Sequence, residues 1–126
     1  MERTELSQMY HDRMIKQLAD SLVSKRFRDV RADHPDSPQR PAPVMPGAPN
    51  SWHIPDVTAM GIQMVLFEVE TVETIDDPHT ADEWKSFAQY AHDNGAEFWV
   101  VVPKASIENA RDRMARLRLD GKVMGL

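Results

Sequence analysis

Asp56, Glu68 and Glu70 stand in a stretch, HIPDVTAMGIQMVLFEVET (53–71), whose other residues read as two apolar strands around a turn at Gly61. An isolated carboxylate is costly to bury in such a setting, so the three acids are either solvated or used together. Side chains alternate faces along a strand, which puts Glu68 and Glu70 on one side of the sheet. A hairpin pivoting near Gly61–Ile62 sets Asp56 opposite Glu68, because equal numbers of residues then lie on each side of the pivot. Three carboxylates gathered in this way repel one another and raise one another's pKa unless a cation neutralises them. An all-oxygen donor set suits Mg2+ or Mn2+ far better than Zn2+. Joint use of the acids therefore predicts a divalent-cation site, against the alternative of an acidic, solvated strand edge.

The elements that must position these acids follow from periodicity. From about Glu5 to Lys25, Met14, Ile15, Leu18, Ala19, Leu22 and Val23 recur at helical spacing and predict a first helix. FRDVRAD (27–33) predicts a short strand near an edge. The segment 34–50 holds six of the nine prolines and predicts a long, ordered, extended loop inside the domain. Strands are expected around Ile54–Ala59 and from Met64 to Thr71, the second central because Val65, Phe67 and Val69 load one face and Met64 and Leu66 the other. Thr80 is expected to cap a second helix, with Asp82 and Glu83 in its first turn, Trp84, Phe87, Ala88 and Ala91 on its buried stripe, and DNG ending it near His92. EFWVVVP (97–103) predicts a buried strand. Ser106 is expected to cap a third helix running to about Leu119 and ended by Gly121, and KVMGL to add a last strand. The sum is a single α/β domain over 1–126 with a mixed sheet flanked by helices, in the order αβββαβαβ.

Composition narrows the function classes. With no cysteine there is no disulfide framework, thiolate metal site or cysteine nucleophile. The charged N-terminus lacks an apolar signal core and no apolar run reaches the length of a membrane span, so the expectation is a cytoplasmic protein without a membrane partner. The net charge of -5 conceals a strong asymmetry. Residues 41–84 hold eight acids and no Lys or Arg, whereas residues 1–31 carry seven Lys/Arg against five acids and residues 104–122 six against three. Basic ends around an acidic middle suit a cation site flanked by an anionic ligand.

Pro55-Asp56, eleven residues, then Glu68-x-Glu70, set in this order of helices and strands, resembles the PD-(D/E)XK nuclease superfamily, the restriction-endonuclease-like fold. The resemblance runs through most of the chain. It implies that Asp56 and Glu68 bind a Mg2+ or Mn2+ ion, with the backbone carbonyl of Val69 as a third ligand, and that the activity is hydrolysis of a phosphodiester in nucleic acid, DNA rather than RNA, by metal-activated water. One departure is plain: the motif lysine of that superfamily is Glu70 here. A glutamate cannot stabilise an attacking hydroxide as a lysine does, but it can bind a second ion or orient a water as general base. Lys85, in a polar stripe with Gln89 and His92, is the candidate replacement cation, a solvated helix lysine being its bland alternative.

Nucleic acid would be held away from the acidic corner by Lys25, Arg26 and Arg28 on one side and by Arg111 and Arg118, which share a helix face, on the other. Glu5 and Asp12 are acids available on the first helix. His53 reads as a structural histidine at a strand start, Trp84, Phe98 and Trp99 as core, and Trp52 as an aromatic beside the site. A homodimer or a place in a larger complex is in keeping with so small an enzyme. The rival is a catalytically inactive module of the same fold, serving nucleic-acid binding or complex assembly. An unrelated ligand-binding α/β domain would follow if Asp56 and Glu70 pointed to opposite faces.

Overall fold

A computed structural model describes residues 4–44 and 52–126. The elements are α1 (Glu5–Ser24), β1 (Arg28–Ala32), β2 (Val57–Met60), β3 (Met64–Val69), α2 (Pro78–Asn94), β4 (Glu97–Val102), a 3-10 turn (Lys104–Ser106), α3 (Ile107–Arg116) and β5 (Lys122–Gly125). They form an α/β domain around a five-stranded mixed sheet whose spatial order follows the chain, β1-β2-β3-β4-β5. The first three strands are antiparallel neighbours, while β3, β4 and β5 run parallel and need α2 and α3 as crossovers. The β2–β3 register pairs Val57 with Phe67 and Met60 with Met64, which is the pivot expected from the spacing of the acids.

Alternation along β3 divides the core in two. Val65, Phe67 and Val69 join Val57, Ala59 and Val101 under Met14, Ile15, Leu18 and Leu22 of α1. On the opposite face Leu66 joins Phe98, Val100 and Val102 against Trp84, Phe87, Ala88 and Ala91 of α2 and Ala110 and Met114 of α3. Glu68 and Glu70 belong by alternation to this second face, at the point where the apolar stripe runs out.

Several element ends differ from expectation for local reasons. Pro78 has no amide to lose and a φ suited to a helix start, so α2 begins there with Asp77 as N-cap, its carboxylate accepting the His79 amide at 2.8 Å. Thr80 is consequently inside the helix, and Asp82 and Glu83 fall beyond its first turn. The helix runs past His92 to Asn94, where Gly95 takes the left-handed conformation (φ 63°). The third helix stops at Arg116 rather than Leu119, because Arg118 itself adopts φ 55°. Gly121 is small for a different reason: a Cβ there would come within 3.1 Å of both Phe98 and Met114. Val23 is exposed, not part of the α1 stripe. Strand β1 is an edge, as expected, with Asp29 at φ 48° where its register to β2 slips. Of the proline-rich loop, residues 34–44 are described and 45–50 lie outside the described residues; Val44 is buried and pairs with His53.

Candidate functional site

Where β2 begins and β3 ends, the two strands exchange side-chain bonds in place of a continuing ladder. The Asp56 Oδ2 accepts the Val69 amide at 2.8 Å, and the Glu68 Oε1 accepts the Asp56 amide at 3.2 Å. Each acid thus holds the other's strand. The third participant comes from α1. Its buried stripe, read backward by helical steps from Leu22, Leu18 and Met14, continues through His11 and Ser7. At that end the stripe is polar, and His11 Nε2 lies 3.2 Å from Asp56 Oδ2.

Glu70 anchors a separate but adjoining network. Its Oε1 accepts from the Thr74 hydroxyl at 2.7 Å and its Oε2 from the Trp84 indole N–H at 3.2 Å, while its amide bonds Val101 in β4 at 2.9 Å. The Thr71 amide donates to Thr74 Oγ1, and the Thr71 and Ser7 hydroxyls are 3.1 Å apart. The loop after β3 is therefore tied to β4, α2 and the first turn of α1.

The electrostatics separate the two central acids. Glu68 is pushed well above the usual carboxylate range, first by burial and then by the charges of Asp56, Glu70 and Glu83. Burial acts on Asp56 in the same upward direction, but the His11 imidazole, with the proton of Glu68 and the Val69 amide, outweighs it and holds Asp56 below that range. The two shifts favour the proton on Glu68 and the charge on Asp56.

Asp56, Glu68 and Glu70 are thus brought together as the register argument required, with Asp56 and Glu70 both acting on the Glu68 carboxyl. The roles expected of Glu70 and Lys85 change. Glu70 is 2% exposed, and with both oxygens engaged by Thr74 and Trp84 it is a structural anchor rather than a group poised over a water. Lys85 is exposed on α2, one residue past the fully buried Trp84 and so about 100° around the helix from it. The charges that act on Glu68 are all acidic.

Lys25 ends α1, Arg26 follows it at φ 67°, and Arg28 opens β1 opposite Met60. These three lie at the other end of the sheet, roughly 13 Å along the strands from Asp56. Arg111 bonds Glu108 at 3.4 Å, and Arg118 lies beyond the end of α3. Trp52 is exposed ahead of the site, and His53 packs edge-on against Phe87.

Sequence reasoning missed His11, Glu83, Thr74 and the polar use of Trp84. His11 was readable, since it falls on the α1 stripe one turn before Met14 and Ile15. Glu83 and Thr74 depend on how a loop folds back, which no periodicity announces.

No protein-family model matches the chain, and no curated protein or solved structure matches it. No helix among the described residues is long and apolar enough to cross a membrane.

Proposed function

We propose that the protein is a divalent-cation-dependent hydrolase of phosphodiester bonds in nucleic acid, built on a restriction-endonuclease-like fold, with Asp56 and Glu68 as its ion-binding acids. The observation that carries the reading is the Asp56–Glu68 pair: adjacent, with Glu68 buried and Asp56 only partly exposed, and with burial and the Asp56 charge both opposing ionisation of Glu68. The donor chemistry fits a hard ion. No group of three or more His, Asp or Glu side chains among the described residues is arranged as a ready-made metal cage. Mg2+ does not need one, for it commonly takes one or two carboxylates and completes its shell with waters and substrate phosphate. The Val69 carbonyl is the further oxygen that the resemblance offers.

The bound ion would supply Lewis-acid polarisation of the phosphate and a more acidic water. The chain's own residues do the positioning. His11 and the Val69 amide both hold Oδ2 of the Asp56 carboxylate, which leaves Oδ1 as the oxygen to offer a ligand. Glu70, held by Trp84 and Thr74, is among the neighbours that oppose ionisation of Glu68 and so strengthens the demand for a cation there.

A second reading has its own support. Glu68 and Glu70 are 4% and 2% exposed, and a proton on Glu68 relieves the repulsion within the pair without any ion, as a non-catalytic module of the same fold would require. One pair of measurements separates the two. The enzyme should nick plasmid DNA with Mg2+ or Mn2+ and gain thermal stability with Mn2+ concentration, and both effects should disappear in Asp56→Asn and Glu68→Gln. A melting temperature indifferent to Mn2+, or nicking that persists in both variants, removes these two acids from the role.

A further inference from the structure

Apolar side chains left short of cover fall in two places. Because α1 packs against β1, β2 and β3, the sheet face beside β4 and β5 is partly open, and Trp99, Met124 and Leu126 are half-buried there against the core. At the carboxylate end the apolar residues stand clear of the core. Leu6, Tyr10, Trp52, Ile54 and Val72 are all exposed, and each is tied by the chain to a residue of the site. Leu6 and Val72 adjoin Ser7 and Thr71, whose hydroxyls are 3.1 Å apart. Tyr10 precedes His11, whose Nε2 is 3.2 Å from Asp56 Oδ2, and Trp52 and Ile54 lead directly into Pro55-Asp56.

Two of these residues are aromatic, and they approach the end from opposite faces of the sheet. Tyr10 is carried by α1, which covers the face bearing Val65 and Phe67, whereas Trp52 leads into His53, which packs on Phe87 of α2 on the other. Tyr10 is 48% and Trp52 59% exposed, which leaves ring surface free for a flat partner. Cations are scarce here. Lys85 is the one lysine or arginine between 41 and 103, and Arg113 and Arg116 of α3 are drawn to Asp76 at 4.0 and 3.7 Å. On α1, Arg13 is exposed one turn after Tyr10.

We propose that this end binds its substrate as an unpaired strand of nucleic acid, gripped by stacking of bases on Tyr10 and Trp52 on either side of the Asp56–Glu68 pair. This substrate form rests on the hydrolase reading and narrows it. A duplex is held chiefly through its phosphates, by a track of Lys and Arg that this end lacks, and its base faces are closed to side chains because they stack on one another. An unpaired base offers a π-face to an aromatic ring whatever its sequence. Rings with few cations therefore grip bases rather than phosphates, and the acids of the site oppose the two phosphate rails of a duplex more than the single rail of an open strand. Arg13 and Tyr10, three apart on one flank of α1, are spaced to meet a phosphate and the base beside it.

The test uses a labelled mixed-sequence oligonucleotide of about 20 nucleotides, as DNA and as RNA, each alone and annealed to its complement. Binding is read by fluorescence anisotropy with Ca2+, and cleavage on a gel with Mn2+. In at least one of the two chemistries the unpaired form should bind about tenfold more tightly than the duplex, with an affinity that falls only shallowly with salt. Trp52→Ala and Tyr10→Ala should each weaken that binding by about tenfold at unchanged melting temperature, and Trp52→Phe should keep most of it. Such binding without cleavage supports the stacking surface and removes the hydrolase reading. Equal binding of duplex and single strand, no binding of either, or binding that both alanine variants leave intact overturns the proposal, and cleavage in any of these cases leaves the hydrolase reading in place. Tighter binding of a lysine–leucine peptide than of every oligonucleotide, lost in Trp52→Ala, overturns it as well and assigns the rings to a protein partner.

Discussion

The two ends of the β2–β3 hairpin are built from the same strands and solve opposite problems. At the open end, the carboxyl groups of Asp56, Glu68 and Glu70 are buried or nearly so and bonded one by one, by backbone amides, an imidazole, a hydroxyl and an indole. At the turn end the groups are apolar or freely solvated: Ile62 in water, Phe27 over Gly61, Lys122 bridging Glu97. Buried polar groups are costly when one partner is lost, whereas exposed pairs and half-covered apolar residues change stability little. Substitutions of similar size should therefore have very different effects at the two ends.

The largest effect is expected at Trp84, which combines a fully buried indole with the Glu70 bond. Trp84→Ala should cost about 3–5 kcal/mol in a urea titration. Trp84→Phe keeps most of the volume and removes the N–H donor, and should still cost about 2 kcal/mol. A Phe variant as stable as wild type would mean that the Glu70 carboxylate draws no stabilisation from the indole, and the contrast between the ends would lose its best example.

Glu68 sharpens the comparison through pH. Its folded pKa is raised, so between its unfolded value and that raised value the native state binds the extra proton and stability falls as pH rises. The stabilising contribution is full below the unfolded pKa and is lost through the folded one. Glu68→Gln, measured with chelator present, should flatten this part of the stability profile and raise the melting temperature at neutral pH. An unchanged profile would mean that Glu68 ionises normally, which is incompatible with a crowded carboxylate site.

The caps of α2 place one local backbone effect at each end. Asp77→Ala removes the N-cap at the carboxylate end, and Gly95→Ala forces a Cβ onto φ 63° at the turn end. Each should cost about 1 kcal/mol by thermal melting. Equal costs are expected because helix ends depend on their own φ and hydrogen bonds rather than on surrounding charge. A much larger loss at Asp77 would show that the cap also braces the loop carrying Thr74.

How far the sequence foretold this contrast depends on the type of signal. Gly61–Ile62 as pivot, and hence Asp56 opposite Glu68, followed from counting, because strand periodicity is rigid and the hairpin is short. His11 lay on a stripe whose apolar members ended at Met14, so an apolar search stopped one turn early. Glu70 was assigned to chemistry because a carboxylate beside two others suggests a ligand. Its partners Trp84 and Thr74 are brought to it by the turn at 71–77 and by the start of α2 at Pro78, and that start was misplaced by the attraction of Thr80 as a cap. The open face beside β4 and β5 could not be read at all: FWVVV (98–102) is apolar throughout, and only the path of α1 decides which of its residues lack cover.

The smallest effect belongs to the turn end. Lys122 Nζ lies 2.9 Å from Glu97 Oε1 and 5.3 Å from the centre of the Trp99 ring, a geometry that would matter in a dry interior. Here both partners are solvated, with side chains 61% and 31% exposed. Lys122 nonetheless holds the Glu97 carboxyl below its ordinary value, the small desolvation that opposes it being outweighed. Because that folded pKa is depressed, the contribution is present above the unfolded pKa and is lost as pH falls through the folded one. Lys122→Ala should cost only about 0.5 kcal/mol at neutral pH, less still in molar salt, where screening reaches an exposed pair but not the buried acids of the other end. A salt-insensitive loss well above 1 kcal/mol would require Lys122 and Trp99 to be shielded from water, against the exposure of both partners.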